Sequence, residues 1–333
     1  MENEPMKPST FCHGLLLVAG IFLLSGCAVT DIGSTLRGDH YLMTGDYRAG
    51  EASFRQSVRE RPDSAANNYY LGRFLLAEDR PQQALPWLKK AVRLDPDNPD
   101  YHFWYGMALG ATGKVQAERK QYERALALDP HHLQSLIYLG NAELKRARYS
   151  RALALYQKAL KIWPHSPMAL YNRALIMKAL GRTPEEKIAW LQYLDRYPSG
   201  SLAIRATNHL NRLGDFSYRN HYLGRRTITL TKIWFKPFTA ELDPYSYPAL
   251  NLVGATASNM KKGTLQVVVY QKNDRELARK RAASVKKYLQ KKFPRLQGRK
   301  IRISWFDRDE VFTADGKKQK SGESVRFFLT GWK

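Results

Sequence analysis

Proline recurs at a fixed interval through the middle of the chain, and this interval constrains the fold more than any other feature. Proline cannot continue an α-helix, so it marks the ends of successive helical units. A strict period of this length indicates stacked helix pairs, because such a pair buries its apolar face only against its neighbours. The prolines lie 34 residues apart, at Pro62, Pro96, Pro130, Pro164 and Pro198.

Other positions of the repeat follow the same period. Small residues ten positions after a proline predict that paired helices approach closely, and large apolar residues eight positions before a proline predict a core. The small residues are Gly72, Gly106, Gly140 and Ala174, and Gly38 lies in the same phase before Pro62. The large residues are Phe54, Leu88, Tyr122, Tyr156 and Trp190.

This pattern resembles the tetratricopeptide repeat (TPR) family from Asp31 to about Gly200. The resemblance implies five repeats, each of two helices, with a capping helix near Ser201 to Leu213. We therefore expect an all-α TPR solenoid over residues 31–213, which is a protein-binding scaffold in this family.

The resemblance also implies a partner-binding groove lined by the first helices of repeats two to five. Its aromatic, aliphatic and basic side chains would suit a peptide with apolar anchors and acidic groups. An alternative interpretation is that several of the aromatic residues pack between helices. The implied groove residues are Tyr69, Arg73, Phe103, Met107, Ile137, Asn141, Lys145, Tyr171 and Lys178.

The amino terminus contains an apolar run, Leu15 to Leu24, of the length found in signal peptides. The sequence Leu-Ser-Gly-Cys follows and ends at Cys27, which resembles the lipobox of bacterial lipoproteins. The resemblance implies a signal peptide over residues 1–26, a lipidated terminus over 27–30 with acyl chains on Cys27, and, from Ala28, an outer-membrane location facing the periplasm. A short transmembrane anchor with an incidental cysteine is the alternative. Translation from either Met1 or Met6 is compatible with the leader.

Beyond the repeats the pattern changes to alternating strands and helices. Residues 214–226 are predicted to be a polar linker, and residues 227–333 a small α+β domain. The predicted strands are Thr227–Phe235, Thr264–Gln271, Ile301–Phe306 and Val325–Thr330, and the predicted helices are Pro244–Asn259 and Asp274–Lys292.

Three motifs in this region resemble the OmpA/Pal family of peptidoglycan-binding domains. They are Leu242-Asp243-Pro244 with Leu250, the strand Val267-Val268-Val269 leading to Asp274, and the helix pattern Leu277-Ala278, Arg281-Ala282, Val285 and Tyr288-Leu289. The resemblance implies that Asp274 and Arg281 bind the two charged ends of the diaminopimelate in the wall peptide.

The same region departs from the family pattern in the loop before Asp274, which is short, and at Gly322-Glu323-Ser324, where the family has Asn-Arg-Arg. A retained fold with an unused ligand site is therefore the alternative, in which Asp274 is an ordinary helix cap.

The chain is strongly basic, with a net charge of +24. From Gly214 onward, 26 Lys and Arg stand against 10 Asp and Glu, a net charge of +16. Such a region attracts anionic partners, including wall polymers, acidic lipids, acidic proteins and nucleic acid.

No motif for a metalloprotease, a phosphate-binding loop or a nucleophile elbow occurs, so we expect no enzyme, cofactor or metal. The sequence favours a noncatalytic, periplasm-facing lipoprotein adaptor. Its repeats would bind a protein partner, and its basic carboxyl-terminal module would dock to peptidoglycan or another envelope component during assembly of a pilus, secretion or other envelope machine. A regulator of a wall hydrolase and a nucleic-acid binder in DNA uptake remain as alternatives.

Overall fold

The computed structural model describes residues 32–260, 262–297, 300–314 and 316–331. The chain divides into two compact units, Met1–Ile162 and Trp163–Lys333. The predicted signal peptide, both candidate start residues and Cys27 lie outside the described residues.

The first unit is built from helices that alternate between 13 and 14 residues in length after the first one. Pro62, Pro96 and Pro130 each stand two residues beyond the end of a second helix, as the repeat predicts. The helices are α1 over residues 32–44, α2 Tyr47–Glu60, α3 Ala65–Ala77, α4 Pro81–Leu94, α5 Pro99–Ala111, α6 Val115–Leu128, α7 Leu133–Lys145 and α8 Tyr149–Ile162.

Glycine sets the distance between the two helices of a repeat. A Cβ atom on Gly72 would lie 2.4 Å from the side chain of Leu88, and one on Gly106 would lie 2.6 Å from the ring of Tyr122. Gly140 repeats this relation, at 2.8 Å from Tyr156. The three large side chains are fully buried. The predicted close approach and the predicted core positions are therefore confirmed.

The second unit begins with three helices, α9 Pro167–Ala179, α10 Thr183–Arg196 and α11 Gly200–Arg212. The last of these confirms the predicted capping helix. The indole of Trp190, on α10, stacks on the imidazole of His209, on α11, with ring centroids 4.8 Å apart. Its Nε1 donates a hydrogen bond of 3.0 Å to Oε1 of Glu186, which satisfies the one polar atom of a fully buried side chain.

The rest of the second unit is a small β-rich region with two helices. Its elements are β1 Tyr218–Leu223, β2 Arg226–Thr231, α12 Tyr247–Ser258, β3 Thr264–Gln271, α13 Arg275–Lys292, β4 Ile301–Phe306, β5 Glu310–Ala314, β6 Lys317–Ser321 and β7 Glu323–Thr330.

Three strands form a mixed sheet in the order β4-β3-β7, with β3 parallel to β4 and antiparallel to β7. The crossover from β3 to β4 runs through α13, as parallel pairing requires. Residues on one face of β3, Leu265, Val267 and Val269, join a core with Leu250 of α12 and Val285 of α13. The predicted α+β arrangement is thus present, and β3 has the predicted bounds.

Two antiparallel hairpins, β1-β2 and β5-β6, accompany this sheet. The prediction of a linker over residues 214–226 was wrong for its second half, because Tyr218 to Leu223 pair with β2 from Thr231 to Arg226. Tyr218, His221 and Leu223 are buried. Their side chains hold this otherwise polar segment against the rest of the unit. The predicted strand Thr227–Phe235 ends at Thr231. The hairpin β5-β6 was not predicted.

Candidate functional site

Four of the predicted groove residues are packed between helices. Tyr69, Phe103, Ile137 and Tyr171 are between 3% and 8% exposed. The ring of Phe103 lies 5.7 Å from that of the buried Tyr122. These side chains hold the helices together and offer little surface to a partner, as the alternative interpretation of the aromatic residues anticipates.

The more accessible members of the predicted set are Arg73, Met107 and Asn141, which are half-buried, and Lys145 and Lys178, which are exposed. Met107 and Asn141 occupy equivalent positions of successive repeats and make equivalent contacts. The hydroxyl of Tyr122 donates to Sδ of Met107 at 3.3 Å, and that of Tyr156 donates to Oδ1 of Asn141 at 2.5 Å.

Arg73 is held by two aromatic rings on the first helices. Its guanidinium carbon lies 4.2 Å from the ring centroid of Trp104 and 5.3 Å from that of Tyr69, and its Nη1 donates to the Tyr69 hydroxyl at 3.1 Å. Burial raises the pKa of Tyr69, so the phenol stays neutral. Trp104 is half-buried and was not among the predicted groove residues. Its aromatic side chain on the first helix of a repeat is the sequence feature that could have indicated it. The pair forms a cationic and aromatic patch that suits an acidic or aromatic partner side chain.

Asp274 caps α13, since its Oδ1 accepts a hydrogen bond of 2.8 Å from the amide of Leu277. The side chain fills the role that the helix-cap alternative gives it. No contact between Asp274 and Arg281 accompanies this cap within the described residues.

Arg281 is 2% exposed and already surrounded by partners. Its Nε donates to the carbonyl of Thr239 at 2.9 Å, and its Nη1 donates to Oε1 of Gln271 at 2.6 Å. The same nitrogen lies 3.0 Å from Oε2 of Glu323, and the guanidinium lies over the ring of Phe235. The resemblance implies that Arg281 binds a carboxylate of the wall peptide. In this structure Arg281 binds the carboxylate of Glu323 instead.

A second arginine cluster, around the buried Glu310, joins elements that are distant in sequence. Glu310, at the start of β5, accepts two hydrogen bonds from Arg219 of β1, at 2.6 and 3.1 Å. Arg326 of β7 lies 3.4 Å from the same carboxylate, and burial lowers the pKa of Arg326. Glu310 therefore fastens the β5-β6 hairpin to both β1 and β7.

A basic hollow of about 530 Å³ lies between α13 and β4. Lys286, Lys287 and Lys291 of α13 line it together with Ile303 of β4, one alanine and two glutamines. Among the residues that the structure describes, no acidic side chain lines this hollow. The sequence indicated a basic helical face, but the apolar neighbour Ile303 follows only from the fold.

Within the described ranges, no group of three or more His, Cys, Asp or Glu side chains has the arrangement of a metal site. A search of the same residues finds no helix with the length and apolar character of a membrane span.

The tetratricopeptide repeat family matches residues 35–99, 88–132 and 138–201. No curated protein matches the chain. Among solved structures, PilF of Pseudomonas aeruginosa has a TM-score of 0.52 at 17% identity, over 57% of this chain and 86% of that one.

PilW, described as a widely conserved type IV pilus biogenesis factor, has a TM-score of 0.50 at 17% identity, over 55% of this chain and 86% of that one. MamA has a TM-score of 0.44 at 22% identity, over 48% of this chain and 93% of that one. At these identities PilF and PilW show a shared fold. The helical part of this chain is therefore built from tetratricopeptide repeats.

Proposed function

We propose that the protein is a noncatalytic adaptor of the bacterial envelope, anchored to the outer membrane by lipid on Cys27 and facing the periplasm. Its repeats bind a protein partner, and its basic carboxyl-terminal region docks to an envelope component. The observation that carries this proposal is the TPR array itself, since stacked helix pairs present an extended surface for other proteins.

The fold shared with PilF and PilW motivates a pilus or another envelope machine as the setting. The patch of Arg73 and Trp104, together with Lys145 at the end of α7, gives the repeats an aromatic and cationic surface. Such a surface favours a partner segment that carries acidic and apolar side chains.

The docking of the carboxyl-terminal region to peptidoglycan rests on its net charge of +16 and on the resemblance at Asp274 and Arg281. A wall peptide that used Arg281 would have to displace Glu323 from the guanidinium. We therefore place docking on the exposed basic surface, where cations attract the carboxylates of wall polymers without breaking an internal ion pair.

Photo-crosslinking in cells tests the partner-binding role of the repeats. A photoreactive amino acid at Trp104 or Lys145 should capture one and the same protein, identified by mass spectrometry. Exposed positions on the second helix α6, Gln116 and Lys120, serve as matched controls and should not capture it. Equal capture at all four positions, or none at the first two, contradicts the proposal.

The mature amino terminus tests the anchor separately. We expect an acylated Cys27 as the first residue by mass spectrometry, and loss of membrane association with accumulation of precursor in Cys27→Ser. An uncleaved leader or an unmodified cysteine contradicts lipid anchoring. The precursor mass also distinguishes translation from Met1 and from Met6.

Sedimentation with purified sacculi tests wall docking. The chain should pellet with sacculi at low salt, and less as salt rises, because exposed charges are screened. Asp274→Ala should pellet like the unaltered chain if the charged surface is responsible. Loss of pelleting in this variant would instead assign the wall peptide to the residues that the resemblance names.

A further inference from the structure

Strand β4 is an edge of the three-stranded sheet. Its residues Ile301 to Phe306 pair with Leu265 to Tyr270 of β3, and no other strand of the described residues pairs with it. The outward backbone amides and carbonyls of an edge strand are a template for another strand.

The opposite edge of the sheet is treated differently. The amide of Phe327 in β7 donates a hydrogen bond of 3.4 Å to Nδ1 of the buried His221, which lies on β1 of the neighbouring hairpin. A side chain thus satisfies part of the β7 edge. The β4 edge receives no such contact within the described residues.

The basic hollow adjoins this edge, because Ile303 of β4 forms part of its lining. Lys286, Lys287 and Lys291 have no ion-pair partner in the described part of the chain, whereas Lys280, one turn and a half earlier, lies 3.8 Å from Glu276. The hollow therefore combines uncompensated positive charge with an apolar neighbour and a strand edge.

We propose that the β4 edge and the basic hollow bind an extended acidic segment of a partner protein, which adds to the sheet as a further strand. The spacing of the charges fits this occupant. Alternate residues of a strand are about 6.6 Å apart and point to the same face. Lys287 and Lys291 are separated by about 6 Å along α13. Acidic side chains at every second position would therefore meet successive lysines.

A polypeptide fits this surface better than a lipid surface or a nucleic acid. Phosphate groups can pair with the lysines, but they offer no amides and carbonyls at the spacing of a strand. The proposal rests on the docking role proposed above for the carboxyl-terminal region, and it identifies the class of partner for that role.

A fluorescein-labelled peptide of four Glu-Val repeats tests the proposal by anisotropy with the full chain. We expect saturable binding by the unaltered chain. The affinity should fall by roughly tenfold or more in the triple variant Lys286→Glu, Lys287→Glu and Lys291→Glu. The matched control is Lys317→Glu, Lys318→Glu and Lys320→Glu on the β6 hairpin strand, which changes the net charge equally and should bind as the unaltered chain does. Equal weakening in the two triple variants overturns the proposal.

The contribution of the strand edge is tested with two N-methylated peptides. One carries methyl groups on the backbone amides of its Glu residues, and the other carries them on the amides of its Val residues. One of the two methylated peptides should lose binding, because it cannot donate hydrogen bonds to β4. Equal binding by both, or by a DNA oligonucleotide of the same charge, would show a general polyanion site and overturn the proposal. So would the absence of peptide binding at low salt. None of these results alters the crosslinking at Trp104, so failure here is distinguishable from failure of the adaptor role.

Discussion

The repeats and the carboxyl-terminal sheet obtain their cores from contacts at very different distances along the chain. In the repeats, Gly106 faces Tyr122, only 16 residues later. Around the sheet, Arg219 of β1 binds Glu310 of β5 across 91 residues, and His221 of β1 meets Phe327 of β7 across 106. A core of local contacts leaves a period in the sequence, whereas a core of distant contacts leaves isolated polar residues whose partners depend on the complete topology.

The largest expected effect concerns the distant contacts. Glu310→Gln keeps the shape of the side chain but removes the negative charge between Arg219 and Arg326. Two largely buried guanidinium groups then lose their counter-ion, and we expect a loss of about 3–5 kcal/mol in the free energy of unfolding by urea denaturation.

The matched control for this change is Glu276→Gln, which breaks the exposed pair with Arg279 on α13. Its unfolding free energy should stay close to that of the unaltered chain, because exposed pairs contribute little. A similar loss in both variants would mean that burial of Glu310 is not what makes its ion pairs important.

A smaller effect is expected for the local contacts. Gly106→Ala places a methyl group 2.6 Å from the ring of Tyr122, closer than van der Waals contact allows. We expect a loss of about 1–3 kcal/mol in urea denaturation, because the helices must separate or the ring must leave its rotamer. Gly33→Ala is the control, since nothing lies within 4 Å of the added carbon. That variant should not be destabilised. A Gly106→Ala protein of unchanged stability would show that the repeat tolerates a wider helix spacing.

Loss of the helix cap at Asp274, in the carboxyl-terminal region, should lower the stability by a smaller amount. Asp274→Ala removes the cap of α13 and should cost about 1 kcal/mol in thermal or urea unfolding. Asp274→Ser keeps an oxygen that can cap the helix and should restore most of the loss. Equal destabilisation by the two substitutions would mean that the capping bond is not the source of the effect.

A further effect is a pH dependence at the end of the repeats. Burial, followed by the charges of Lys178 and Arg212, lowers the pKa of His209 to about 4. An unfolded chain protonates this histidine near the ordinary value of about 6.5. Between these values the unfolded state binds more protons, so stability falls as the pH is lowered from 6.5 toward 4.

Histidine chemical shifts measured by NMR should give His209 a midpoint of about 4. His209→Gln should flatten the slope of stability with pH in this window, whereas substitution of the exposed His131 should leave it unchanged. A midpoint near the ordinary value would contradict the burial of the ring against Trp190.

Much of the helical fold follows from the sequence, because successive repeats present a small residue and a large apolar residue at the same phase. The turns after α2, α4 and α6 fall at the predicted prolines, and the capping helix begins one residue before its predicted start. In the carboxyl-terminal region, β3 was predictable because Val267 to Val269 form an apolar run of strand length.

The hairpins were less visible because their residues are polar. The β6 sequence contains three lysines and resembles a charged loop, and β1 resembles a linker until Tyr218, His221 and Leu223 are seen to be buried. Periodicity also could not say which side of a first helix faces solvent. In the structure Tyr69 and Phe103 are buried, while Trp104, the residue after Phe103, is half-buried.

The glycine contacts between paired helices have a consequence for how such an array changes in length. Gly72, Gly106 and Gly140 each settle the spacing inside a single unit, without reference to the units beyond it. Duplication or loss of one complete 34-residue segment therefore preserves every such contact, while an insertion inside a helix of the pair turns the glycine or its large partner away from the contact. Evolution can lengthen or shorten this region by whole units, and single-residue insertions within its helices are selected against.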